Sequence, residues 1–398
     1  MHLDFNISSA QFHQEYLYQK PMVFKGAVKN IDIGWKEINE LYQRANPMDP
    51  QFKFRKGPMI PKEAYVEAFE DVGRTRYRFN KAAVYQYLKE GATLVYNRIN
   101  NESFADDLAK QVAQFAQAQT IVSGYLAFGS DSSYGNHWDT RDVFAVQLVG
   151  KKHWTLSAPN FDMPLYMQQA KDMPHIKPPQ AIDMEVVLEA GDVLYIPRGW
   201  WHNPMPMGCE TFHLAIGTFP PNGYNYMEWL MKKVPEIASL RQSFRGWEAD
   251  KGNIQDMAQQ VAGLIANPEH YENFMQAFLG DQRVDSPFMM ECFGNAHSSG
   301  LPDDALLRLN AVDISTLEKG YVIANGTKIN MDVSSAHILE QLGRREVMSL
   351  SELLAEYNLD QQVKAKTLIN QITMLDVLEV IGNKSGTVCG LYFTNFTV

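Results

Sequence analysis

The chain has 398 residues, of which 45% are hydrophobic and 12% aromatic, enough for a large core and for more than one domain. Lys and Arg number 36 against 46 Asp and Glu, a net charge of −10. That balance argues against a generic nucleic-acid binder, which needs a basic face, and suits a basic partner. No stretch approaches the roughly 18 apolar residues of a membrane span, and the first residues, MHLDFNISSAQFHQEY, lack the basic and apolar regions of a secretory leader. Cys209, Cys292 and Cys389 are far apart and form no CxxC pair, which fits reduced thiols in the cytoplasm.

Residues 1 to about 120 mix short helical and extended pieces. QFHQEYLYQKPMVFKGAV reads as a helix running into a strand. In 104–119 the residues Phe104, Leu108, Val112 and Phe115 recur at helical spacing. From 121 to 219 the texture changes. IVSGYLAFG, VFAVQLVG, HWTLSAP, VVLEAGDVLYIPRG and TFHLAIGTF are short apolar runs punctuated by Gly, Pro and Asp. With little room for crossover helices, they predict an antiparallel barrel or double-sheet jelly roll.

Residues 224–285 return to helical period, with Met257, Val261, Leu264 and Ile265, then Phe274, Met275, Phe278 and Leu279. Such helices form a core or pair with a second copy of the chain. SPFMMECFGNAHSSGLPDD, 286–304, has linker composition. Beyond it, Ile338, Leu339 and Leu342 mark one helix. Ser349 with Glu352 forms a capping box before a second, and Leu368, Ile372 and Leu375 mark a third. VLEVIGNKSGTVCGLYF then reads as two strands around an Asn-Lys-Ser-Gly turn. Three helices and a hairpin resemble a winged helix. Residues 301–398 carry 8 basic and 12 acidic groups, net −4, so this module is expected to pack or dock protein rather than bind DNA.

The chemistry gathers in GNHWDTRDVFAVQLVGKKHWTL. His137 and Asp139 are two residues apart, so in extended backbone they share a face. A third ligand is offered by His202 in GDVLYIPRGWWHNP. Two histidines and one carboxylate on one side of an ion form the facial triad of non-haem Fe(II) oxygenases, which leaves the other side open. Zinc could use the same donors without the redox step. His213 opens HLAIGTF and could return to the same cavity. Tyr125 offers a hydroxyl there or a core ring. A lysine buried after the apolar strand needs an anion, and either Lys151 or Lys152 qualifies. Strand alternation would set Lys152 on the face opposite Asp139, but Gly150 can break the register.

These stretches resemble the JmjC 2-oxoglutarate oxygenases, most of all the branch that hydroxylates ribosomal proteins; the likeness is close over about 121–220 and looser elsewhere. The resemblance implies a mixed α+β chain: a JmjC catalytic domain over 1–223 with its double-stranded β-helix (cupin-type barrel) at about 121–220, a helical dimerisation domain over 224–300, and a winged-helix-like domain over 301–398. It implies Fe(II) on His137, Asp139 and His202, with Lys152 pairing the distal carboxylate of 2-oxoglutarate, Tyr125 assisting, and O2 as oxidant. His213 matches a histidine of histidine-hydroxylating members. Two places on, where Thr or Ser is usual, this chain has Ala215, which removes one hydrogen bond to the co-substrate. The implied activity is hydroxylation of an arginine or histidine of a ribosomal protein by a cytoplasmic homodimer, with no membrane and no direct nucleic-acid contact. The alternatives are a small-molecule or peptide natural-product hydroxylase on the same fold, or a non-catalytic scaffold.

Overall fold

The computed structural model describes residues 1–281, 286–312, 314–345 and 347–383. The chain forms two compact units, Met1–Pro220 and Pro221–Val398.

The first unit is built on one curled antiparallel sheet. Its strands are β1 (Met22–Phe24), β2 (Phe52–Arg55), β3 (Met59–Ile60), β4 (Thr93–Ile99), β5 (Gln119–Ala127), β6 (Asp142–Ser157), β7 (Met184–Glu189), β8 (Val193–Ile196) and β9 (Trp201–Phe219). They run in the order β1-β8-β6-β9-β5-β4-β2-β3, with β7 added alongside β6. The two longest strands hold the fold together. VFAVQLVG and HWTLS, which read as parts of separate strands, are halves of β6; WHNPM and TFHLAIGTF are both in β9. The first half of β6 pairs with β8 and the second with β7, while β9 follows it through both. One long pair thus runs through both halves of the sheet, as a double-stranded β-helix requires.

The bend lies where the β6–β9 register shifts, between Gln147 and Val149 and again between Gly150 and Lys152. Gly150 has φ +66°, and a Cβ there would lie 1.8 Å from the Glu210 carbonyl oxygen, so only glycine fits. Before the bend, Phe144, Val146 and Leu148 face a core shared with Phe12, Leu108 and Phe212. After it, Trp154 and Leu156 pack with Leu188, Leu194 and Trp200.

Helices α1 (Ser9–Glu15), α2 (Trp35–Arg44), α3 (Lys81–Lys89) and α4 (Ser103–Ala116) belong to this unit. The stripe on α4 does what its spacing predicts: Leu108 and Val112 are fully buried, and Phe104 and Phe115 pack at the margin.

In the second unit, α5 (Gly223–Leu230), α6 (Trp247–Ile265) and α7 (Pro268–Gly280) precede α8 (Met290–Phe293). The stretch of linker composition carries α8 and sends Cys292 and Leu301 into the unit's core, so it is packed structure. Strands β10 (Ala305–Leu309), β13 (Val347–Ser349) and β14 (Leu378–Asn383) form a sheet ordered β13-β10-β14, and β11 (Tyr321–Ala324) pairs with β12 (Thr327–Asn330) as a hairpin. Against them lie α9 (Val333–Arg345), α10 (Leu350–Leu354) and α11 (Leu359–Met374). The Ser349–Glu352 capping box forms as expected, with the Glu352 N–H donating to Ser349 Oγ at 3.2 Å and the Ser349 N–H to Glu352 Oε2 at 2.8 Å. Of the expected C-terminal hairpin only β14 is described; the rest, from 384, lies outside the described residues. Cys209 is a half-buried free thiol, Cys292 is buried in this core, and Cys389 lies in that same stretch.

Candidate metal and dicarboxylate site

His137 enters by a backbone bridge to His202: its N–H donates to the His202 carbonyl at 3.1 Å, and the His202 N–H donates back at 2.8 Å. The Gly199 N–H donates to the Asp139 carbonyl at 3.0 Å, tying the turn before β9 to the same segment. Main-chain bonds thereby bring His202 to His137 and Asp139, more than sixty residues earlier in the sequence.

Donor atoms of His137, Asp139 and His202 all lie within 4.8 Å of one another. His202 Nε2 is 3.7 Å from Asp139 Oδ2, and the two imidazole centroids are 4.4 Å apart. Donors about 2.1 Å from one ion sit some 3–4 Å apart, so small side-chain movements bring all three to a shared ion. Each imidazole is already set for it. His137 Nδ1 lies 3.0 Å from the Gly135 carbonyl and His202 Nδ1 3.0 Å from the Trp200 carbonyl. A carbonyl only accepts, so each Nδ1 carries a hydrogen and Nε2 is the nitrogen left to a metal. Burial and the neighbouring His137 hold the His202 imidazole down at about 4, so it stays neutral. Burial pushes the Asp139 carboxyl up, but His202, His137 and Arg141 outweigh it and leave the group below the ordinary carboxylate range. Two imidazoles with Nε2 turned to one ionised carboxylate make the donor set a divalent cation needs.

The triad opens on a pocket of about 540 Å³, mouth included, whose wall also holds Lys152, Tyr125, His213 and Ala215. The two register shifts in β6 reverse its alternation, so Lys152 reaches the cavity that simple parity denies it. It is 3% exposed and has no anionic partner among the described residues. Burial alone pulls its ammonium down to about 7. His213 lies directly across the ladder from Tyr125, and their rings stack at 5.0 Å. Burial, with Lys152 beside it, holds the His213 imidazole well below its usual value, and its Nδ1 is buried without a hydrogen bond. The Tyr125 phenol is pushed up by burial and stays protonated. Ala215 faces the pocket with no hydroxyl to offer.

His153 points out of the pocket to Glu185, 2.8 Å away. The tryptophans flanking the ligands are packing groups: the Trp138 indole donates to the Gln168 carbonyl at 3.1 Å, that of Trp201 donates to Asn160 Oδ1 at 2.9 Å, and Trp200 joins the core beside Leu188. Sequence reasoning missed Thr93, Ser133, Tyr134, Trp154 and Ile196 in the pocket wall. Thr93 and Ser133 share a 2.6 Å hydrogen bond, and Arg55 lies over the Tyr134 ring at 4.4 Å. Tyr134 stands three places before His137 and could have been suspected, whereas Thr93 arrives only because the sheet curls.

Residues 94–226 match the family model described as the JmjC domain, and residues 263–371 match a ROXA-like winged helix. The chain carries a JmjC domain. Among curated proteins it is similar to the bifunctional lysine-specific demethylase and histidyl-hydroxylase NO66 of Dictyostelium discoideum, 30% identical over 238 residues, covering 57% of this chain and 44% of that protein. The Drosophila persimilis protein of the same name is 28% identical over 164 residues, covering 41% and 23%. The chain therefore spans less than half the length of these relatives. A solved structure of YcfD, a ribosomal oxygenase from Escherichia coli in complex with cobalt and 2-oxoglutarate, shares the fold: TM-score 0.57 at 17% identity, covering 96% of this chain and all of that one. The shared fold spans both the residues matched to the JmjC domain and those matched to the winged helix.

Proposed function

We propose that this JmjC protein is an Fe(II)- and 2-oxoglutarate-dependent hydroxylase acting on an arginine or histidine side chain of a ribosomal protein. The carrying observation is one cavity that holds both a facial set of two imidazoles and a carboxylate, and a buried ammonium lacking a counter-ion among the described residues. Names of similar proteins, NO66 and the cobalt- and 2-oxoglutarate-bound YcfD, support the reading.

His137 Nε2, Asp139 and His202 Nε2 would hold the metal. With O2 it supplies oxygen activation coupled to decarboxylation of the 2-oxo acid. Lys152 takes the distal carboxylate of 2-oxoglutarate, an ion pair that offsets its desolvation. Tyr125 and His213 form the polar wall around that carboxylate, the phenol keeping its proton to donate. The apolar faces of Val143, Ile196 and Trp154 keep bulk water from the reacting end.

The substrate reading follows from charge as well: a net −10 chain attracts basic ribosomal proteins and raises the encounter rate. The same charge disfavours a nucleic-acid substrate. We also propose a cytoplasmic homodimer joined through 224–285, where Met231, Trp247 and Tyr271 are more than half exposed. Among the described residues no helix is long and apolar enough to cross a membrane.

The test is mass spectrometry of ribosomal proteins from a strain lacking the enzyme, before and after purified protein, iron and 2-oxoglutarate are added. One ribosomal protein should gain a single oxygen atom on Arg or His. Turnover of 2-oxoglutarate with a metabolite and none with any ribosomal protein would favour the small-molecule alternative.

A further inference from the structure

Asp142 stands three residues beyond the metal-ligand carboxylate and is 1% exposed. Its carboxylate plays no part in the pocket wall. Its Oδ1 accepts the backbone N–H of Arg198 at 2.9 Å and the hydroxyl of Tyr195 at 3.2 Å, and that hydroxyl in turn accepts the Tyr18 N–H at 3.1 Å. The Arg198 guanidinium lies over the Tyr18 ring at 5.3 Å. Arg198 belongs to the turn Pro197–Trp200, closed by the Trp200 N–H on the Pro197 carbonyl, which delivers His202. In the same turn, Gly199 has φ +85° and donates to the Asp139 carbonyl. So two adjacent amides of the turn are both held by the Asp139–Asp142 segment, one through a main-chain carbonyl and one through a buried side chain. Asp142 Oδ2 and Arg198 Nε are buried without hydrogen bonds. Burying a carboxylate that far from full pairing is costly, and apolar packing would serve stability better if stability were its only task.

We propose that Asp142 is a positioning residue for the metal: its carboxylate clamps the turn 197–200 to the segment bearing Asp139 and thereby sets the separation of Asp139 from His202. The inference rests on the metal reading of His137, Asp139 and His202. Asp142 acts on the ion only through the turn.

The test is cobalt(II) binding by the full-length protein, followed by visible absorption, with the melting temperature recorded in parallel. Asp142→Ala should weaken cobalt binding by about ten- to a hundredfold, as losses of groups that orient ligands do, and shift the cobalt band. Asp142→Asn keeps an acceptor for the Arg198 amide and should restore most of the affinity. Should the alanine variant be insoluble, Asp142→Ser serves, because its hydroxyl is too short to reach that amide and the same loss is expected. A folded alanine or serine variant with the parent's affinity and band overturns the proposal, whatever happens to its melting temperature. Failure of the parent itself to bind cobalt is a different result, which overturns the metal reading on which this rests.

Discussion

Lys152 carries the sharpest contradiction in the molecule: an ammonium inside a barrel, without an anion among the described residues. Burial holds it at about 7, against about 10.4 in an unfolded chain. Between those values the unfolded chain binds the extra proton, so this group makes stability rise with pH there; its cost is complete below about pH 7. Lys152→Met should therefore raise the melting temperature of the ligand-free protein near pH 6, by several degrees, and the gain should shrink toward pH 10. The same substitution should raise the 2-oxoglutarate requirement by about tenfold or more while cobalt binding stays near the parent's, because a charged hydrogen bond contributes about 1.5–3 kcal/mol. In the parent, 2-oxoglutarate affinity should fall as pH rises above about 7, since binding then requires proton uptake; a titration series in pH checks it. His137→Ala and Asp139→Ala should abolish turnover and metal binding while circular dichroism stays parental. At this scale the sequence was most informative where chemistry is local. His137 and Asp139 share a face by strand parity, whereas Lys152 could not be placed by parity because two register shifts intervene.

A bent strand explains the Lys152 placement. Gly150 permits the second shift, with its Cβ space taken by the Glu210 carbonyl. Gly150→Ala should destabilise the protein by roughly 2–5 kcal/mol through positive φ and the clash together, and should weaken 2-oxoglutarate binding more than metal binding, since the triad lies outside the bend. Denaturant melts and ligand titrations separate the two effects. Periodicity found α4, because Leu108 and Val112 must face one core, and the Ser349 cap announced α10. It divided β6 and β9 in two, because Gly150 in one and Pro204, Pro206 and Gly208 in the other punctuate strands that continue through their bends. The stretch 286–304 looked like a linker from composition, yet Cys292 and Leu301 are buried in a core and Met289 and Phe293 pack against it.

Across the whole chain, a JmjC barrel and a winged helix accompany a helical segment whose apolar residues remain exposed: Trp247 at 68%, Phe244 at 63% and Met231 at 59%. On a lone chain such groups are a liability. Trp247→Glu should lower the mass measured by light scattering to that of a monomer, and deletion of 224–285 should give monomer or insoluble protein; a soluble active monomer from that deletion would contradict the dimer. Thr93 shows what the sequence withheld at this scale, since only closure of the sheet brings it to the wall that His202 and His213 share. One cavity is proposed to bind a metal and a dicarboxylate together, and calorimetric titration of 2-oxoglutarate into the protein with and without cobalt(II) tests this most directly. Tight, near-stoichiometric binding that needs both the metal and Lys152 is the expected result; no binding, or binding indifferent to the metal, would contradict it.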